Sequence, residues 1–275
     1  MARLKIALIF GTKPNFNKYA CKYFILSLNK LQNTYEFCFP DINTFPFEEG
    51  KICNFDTSNS ILETFAQHNN ITSDYIIGIN IEKFNTNYFF NATKNSSVIT
   101  TNVWDKYFSP PSLFEYLLHS IYCCLIYSQK TLPGRLISDE AMLLNIGSHR
   151  DTRGCVADFT RDKHDDPIDI TLGYICDEHK AEIKELYGEE YLKETINILE
   201  RKWIGYIDDK NSVAYNLKHV FKFDINKESG FNKNWFEKAW EKFHEIPYEL
   251  ATEILKLIIT VLLTYLLLKL GLPSK

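Results

Sequence analysis

The chain never carries more than two consecutive Lys or Arg residues, and its formal net charge is −4 across 275 residues. These features exclude the broad basic field with which proteins grip a nucleic-acid backbone, so no nucleic-acid partner is expected. A phosphate-cradling loop is lacking as well. Gly11-Thr12-Lys13-Pro14 follows the first apolar run, where such a loop would sit, but it supplies one glycine and then a proline in place of the glycine-rich pattern. The amino terminus lacks a secretion signal: its apolar stretch is short, Gly11 and Lys13 follow it, and no small-residue cleavage site appears. A cytoplasmic, reducing setting is therefore expected. In that setting the seven cysteines read as thiols or metal ligands and not as disulfides. Internal repeats and low-complexity segments are absent too.

What is present is apolar and aromatic. Hydrophobic residues make up 45% and aromatics 15% of the chain, enough for a sizeable core. Residues 4–10 form an apolar run that predicts a buried strand, and the spacing over 17–31 predicts a helix. Further strands are expected at 35–39, 74–81 and 97–101, with a helix at 57–68 capped by a Ser or Asp. Strands alternating with helices imply an α/β layer. Ser109-Pro110-Pro111-Ser112 predicts a helix start, and 113–128 is apolar on nearly every side, as a buried helix is. A loop with a short helix is expected at 129–148, a polar loop at 149–179, a helix at 182–202, a strand at 220–225 and a helix at 232–244.

Residues 250–272 are the most hydrophobic part of the chain. Leu257 to Leu268 is an uncharged run of twelve residues between Lys256 and Lys269. With its flanks counted and both lysines reaching toward headgroups, the segment suits a membrane tail anchor. The alternative is a buried helix, or one that packs against a protein partner or a second copy of the chain.

The chemistry concentrates between 149 and 179. His149 precedes Cys155 by six residues, and Cys176-Asp177-Glu178-His179 follows. A Cys-x-x-His pair sets two donors on one knuckle, and zinc favours four such donors in a tetrahedron. Gly154 permits the turn that brings Cys155 inward. The expected zinc ligands are His149, Cys155, Cys176 and His179, with His164 as a rival for the fourth place. A site with all four positions filled contributes folding free energy and not catalysis. The neighbouring Asp158, Asp162, Asp165, Asp166 and Asp169 read as a solvated acidic loop.

The order of these features resembles the archaemetzincins, a family of zinc metalloproteases. Their pattern is H-E-x-x-H-x-x-G-x-x-H-C, then C-x-M and C-x-x-C. Over residues 4–185 this chain has strands, then a buried helix with Leu118-His119-Ser120-Ile121-Tyr122-Cys123 where the family has Leu-His-Glu-x-x-His. His149-Arg150, Cys155-Val156-Ala157 and Cys176-Asp177-Glu178-His179 follow. The resemblance implies a zincin-like α/β domain with a mixed sheet over 1–185, a mixed extension over 186–245, and a hydrophobic helix over 246–275. The departures imply lost proteolysis. Ser120 stands where the catalytic glutamate belongs and cannot serve as the base. Glu115, His119 and Cys123, spaced by four on one helix face, are the remaining candidates for a catalytic or second metal centre. A buried His119 satisfied by a nearby carboxylate is the plainer reading. The resulting expectation is a non-catalytic, membrane-associated sensor or effector with a structural zinc. The alternatives are an atypical metallopeptidase or a soluble oligomeric scaffold.

Overall fold

The structure is a computed structural model that describes residues 3–11, 14–102, 104–128, 149, 151–158, 163–231 and 248–270. Strand β1 (Leu4–Phe10) is buried from Ile6 onward. It is covered on both faces, which is why it reads as a continuous apolar run and not an alternating one. Helix α1 (Lys18–Ser27) begins at Asn17, whose side chain accepts the Ala20 N–H, and tightens into a 3-10 turn at Leu28–Lys30. Strand β2 (Tyr35–Cys38) and helix α2 (Phe55–His68) follow. The cap of α2 is Asn54, which accepts the Thr57 N–H, and not the Ser or Asp expected.

Strands β3 (Tyr75–Asn80), β4 (Phe90–Ala92) and β5 (Ser96–Thr100) complete a five-stranded sheet in the order β2-β1-β3-β5-β4. The first four strands in that order are parallel, and β4 runs antiparallel along the outer edge of β5. The α/β class with a mixed sheet is as expected. The sequence reading missed β4, which has three half-buried residues and no apolar periodicity. Helices cover both faces. Phe24 and Ile25 of α1 join Ile6, Leu8, Ile77 and Ile99 in the larger core, and Leu62 of α2 joins Ile9 and Val98 on the other side.

After the short helix α3 (Trp104–Tyr107) comes α4 (Leu113–Tyr127), the helix buried at the centre of the larger core. Ser112 and Glu115 form a reciprocal capping box at its start. Tyr116 anchors it to the sheet by donating its hydroxyl to the Thr100 carbonyl.

Three expectations need correction. The polar loop at 149–179 contains a helix, α5 (Asp166–Leu172), with Pro167 in its first turn and a stop at Gly173; seven residues are too few to show a period. The helix expected at 182–202 is two helices, α6 (Asp177–Tyr187) and α7 (Glu189–Leu199). They break at Gly188, whose φ of 91° is open only to glycine. The strand expected at 220–225 does not form. Helix α8 (Val213–His219) ends there, Lys222 takes a φ of 55°, and the Phe223 N–H turns back to the Leu217 carbonyl. The Phe223 ring then packs on Phe114 at 4.6 Å. The loop expected at 129–148 and the helix at 232–244 lie outside the described residues.

The chain divides into two units, 1–231 and 232–275. Positions 185 and 186, expected to mark a boundary, lie inside the first. Glu194 of α7 accepts the Asn33 N–H and the Thr34 hydroxyl, and the Tyr191 and Tyr35 hydroxyls meet at 3.1 Å. In the second unit, α9 (Tyr248–Lys269) is one helix. Among the described residues no helix is long and apolar enough to cross a membrane. The uncharged run from Leu257 to Leu268 spans about 18 Å as a helix, against a hydrocarbon core of about 30 Å.

Gly173 ties α5 to α7. Its φ is +54°, and a methyl group there would stand 2.7 Å from the Leu199 carbonyl oxygen. Gly173→Ala is expected to lower unfolding free energy by about 1–3 kcal/mol, measured by urea denaturation. Unchanged stability would show that α5 does not dock where the structure puts it.

Candidate metal centre

The site is assembled from three chain segments. Gly154 takes a φ of +74°, and a side chain there would collide with Leu172 Cδ1 at 2.3 Å. That turn lets Cys155 point inward. Asp158 fixes the turn by accepting the backbone N–H groups of Arg153 at 2.6 Å and Cys155 at 3.0 Å through one carboxylate oxygen. The Val156 N–H then bonds the Tyr174 carbonyl at 2.7 Å, which places the strand-like 155 segment beside the approach to Cys176. Cys176 is the N-cap of α6 and His179 lies in the first turn of that helix. His149 is held by a parallel bridge to Asp158.

These elements bring the four expected ligands together. The candidate atoms of His149, Cys155, Cys176 and His179 all lie within 4.8 Å of one another, and all four residues are buried. His149 Nε2 stands 3.1 Å from Cys176 Sγ. His179 Nδ1 stands 3.1 Å from Cys176 Sγ and 3.4 Å from Cys155 Sγ. The two imidazoles meet edge to face, with centroids 4.8 Å apart at 69°. Donors at 2.0–2.3 Å from one tetrahedral centre stand about 3.3–3.8 Å from each other. The three spacings of 3.1–3.4 Å are close to that figure and the whole set lies within 4.8 Å, so the cluster could hold a metal ion such as zinc. Burial pushes the Cys155 thiol up to about 11, with the adjacent Cys176 adding to the rise against backbone N–H bonds that oppose it. A cation between the two sulfurs is the group that would reverse that shift.

His164 is not at the centre. Its ring lies against Phe108 at 5.8 Å. The stripe of Glu115, His119 and Cys123 does not gather around one point either. Glu115 closes the α4 capping box and accepts from Arg201, whose other nitrogen donates to the Thr171 carbonyl. The Cys123 thiol donates to the Val156 carbonyl at 3.3 Å. Burial, with Arg201 nearby, lowers the His119 pKa to about 4, so its ring is neutral, and its buried Nδ1 has no hydrogen-bond partner among the described residues. The expected carboxylate partner for His119 is therefore not Glu115. Among the described residues the four-ligand cluster is the one grouping suited to a metal.

Two contributors were not legible as such in the sequence. The sequence puts Asp158 and Asp169 in a solvated acidic loop, yet Asp169 is 3% exposed. Burial first, then the carboxylates of Asp158 and Asp166, push its pKa to about 8. Asp158 is the group that orders the Cys155 turn. Only the count of acidic residues near Cys155 hinted at either.

No protein-family model matches the chain, and no curated protein or solved structure matches it. The site is accordingly read from its own geometry.

A carboxyl group whose folded pKa is raised keeps its proton where the unfolded chain has lost it. The stability it contributes is full below about pH 4 and is lost as pH rises through about 8. Asp169→Asn removes that dependence. The variant is expected to gain melting temperature over the parent, with a larger gain at pH 8 than at pH 5, by differential scanning fluorimetry. An equal gain at both values would place the Asp169 pKa in the ordinary carboxylate range.

Proposed function

We propose that this chain is a non-catalytic, zinc-binding protein on a metzincin-like scaffold. In this reading zinc on His149, Cys155, Cys176 and His179 fastens the 149–179 segment to the sheet domain, which serves binding, as a sensor or effector, and not hydrolysis. The observation that carries the reading is the convergence of four buried donor atoms within 4.8 Å. Four protein ligands fill a tetrahedron and leave no place for a catalytic water. The order of sheet, α4 and cluster supports the resemblance to the archaemetzincins, and so does the α4 position of Leu118 to Cys123. Ser120 supports the loss of proteolysis: it is 2% exposed and stands where the base would be. With a metal bound, Cys155 and Cys176 would hold it through their sulfurs, His149 through Nε2 and His179 through Nδ1.

Elemental analysis of the purified full-length protein is expected to give about one zinc per chain, from the single four-ligand cluster. Cys155→Ser and Cys176→Ser are expected to lose most of it and to unfold at much lower temperature. Chelation is expected to mimic them. Zinc-free parent protein of unchanged melting temperature would overturn the proposal.

His119→Ala is expected to retain the full zinc content. A second zinc that disappears in this variant, together with chelator-sensitive peptide cleavage by the parent, would instead establish the metallopeptidase reading.

A further inference from the structure

Two of the four donors in the cluster are sulfurs, and they stand close enough to react with each other. Cys155 Sγ and Cys176 Sγ lie within 4.8 Å. Both face Nδ1 of His179, at 3.4 and 3.1 Å. The backbone draws the same two residues together. The Cys176 N–H donates to Cys155 Sγ at 3.4 Å, and Cys155 bridges Tyr174, two residues before Cys176. A disulfide sets its sulfurs about 2 Å apart, so a closing movement of less than about 3 Å separates this pair from that bond. The imidazoles of His149 and His179 cannot make such a crosslink.

The two sulfurs differ in access. Cys176 is 8% exposed and Cys155 0%, so a small oxidant from solvent meets Cys176 first, with Cys155 behind it. In the metal-bound state both are thiolates, the nucleophilic form of cysteine. A third thiol competes. Cys123 Sγ donates to the carbonyl of Val156, the residue after Cys155, at 3.3 Å.

We propose that Cys176 and Cys155 form a reversible oxidation site for peroxides, with Cys176 the attacking sulfur and Cys155 the resolving one. This rests on the zinc reading above and names what the sensor senses: an oxidant. Cys176 Sγ attacks one peroxide oxygen. The S–O bond forms, the O–O bond breaks, and the hydroxide released takes up a proton and leaves as water. Cys155 Sγ then attacks the sulfenic sulfur of Cys176. The S–S bond forms, the S–O bond breaks, and a second hydroxide leaves as water. The two sulfurs together lose two electrons, and the peroxide gains them. Both sulfur donors are consumed in the bond. The two imidazoles that remain fill half of a tetrahedron, too few to keep zinc. Oxidation therefore fastens residue 155 to residue 176 and frees His149 and His179 from their common centre.

The test adds hydrogen peroxide to the full-length protein, assayed beforehand for zinc. A chromogenic chelator reads released metal, and differential alkylation with peptide mapping reads the thiols. Peroxide is expected to release about one zinc per chain and to convert two of the seven free thiols into a Cys155–Cys176 disulfide. Dithiothreitol is expected to restore both thiols and the binding of added zinc. Cys123→Ser, which keeps all four ligands, is expected to give the same bond and the same release. Zinc and thiols both unchanged by peroxide would overturn the proposal and leave the zinc reading intact. A bond from Cys123 to either sulfur, or an oxidation that dithiothreitol does not reverse, would also overturn it. A parent without zinc that still forms the reversible Cys155–Cys176 bond would do the opposite, retaining the sulfur pair as the oxidation site and removing the zinc reading.

Discussion

Two thiols and two imidazoles share a volume from which water is excluded, and the arrangement of the 149–179 segment turns on them. Burying a thiol in apolar surroundings holds its proton on, as the shift at Cys155 shows. Two such sulfurs with ring nitrogens at 3.1 to 3.4 Å make a set of soft donors with little else to bind. The backbone is built to keep them there. Gly154 and Gly173 take conformations that place Cys155 and the end of α5, Asp158 ties down the turn, and the start of α6 presents Cys176 and His179 together. Remove the cohesion of that cluster and three chain segments lose their common fixed point.

The helix behind the cluster has been given over to packing. On α4 the polar side chains of Glu115, His119 and Cys123 have separate surroundings. Glu115 is engaged with its own cap and with Arg201, Cys123 with the Val156 carbonyl, and His119 is held neutral. Arg201 reaches this layer from the end of α7 with a φ of 60°, and bridges Glu115 to the Thr171 carbonyl. Hydrogen bonds of this kind, made across elements distant in sequence, define where α5 and α7 sit against α4. They leave the stripe without the converging donors that a reacting metal needs.

The sheet and the cluster meet different demands. The sheet domain draws its cohesion from apolar burial on two faces, with α1 and α4 on one side and α2 on the other. The 149–179 segment is short of apolar residues and rich in acids. Asp158 and Asp169 stay near one another at an electrostatic cost, visible in the raised Asp169 pKa. Cys155, Val156, Ala157, Ile170, Ile175 and Cys176 tie it to the larger core, and the cluster gives it a further fixed point. Helix α9 carries a run of exposed apolar side chains, among them Leu257, Val261 and Tyr265.

The sequence by itself determined the parts whose signal is local. The continuous apolar runs of β1 and β3, the Ser112 cap with Glu115 three residues on, the buried α4, and the four soft donors between 149 and 179 could all be read from residue type and spacing. Residue type and spacing point to those donors, with His164 left as a rival for the fourth place. Tertiary structure decided what depends on neighbours far along the chain. The three residues of β4 are a strand because β5 offers an edge. Residues 220–225 turn back because Phe223 finds Phe114. The run at 182–202 breaks because Gly188 allows a φ that no period reports. Asp169 is buried because its own helix, α5, packs against α4, and Glu115 serves Arg201, 86 residues away, and not His119. Each of these is set by a contact whose free energy is shared with a distant partner, and a window of adjacent residues contains only half of it.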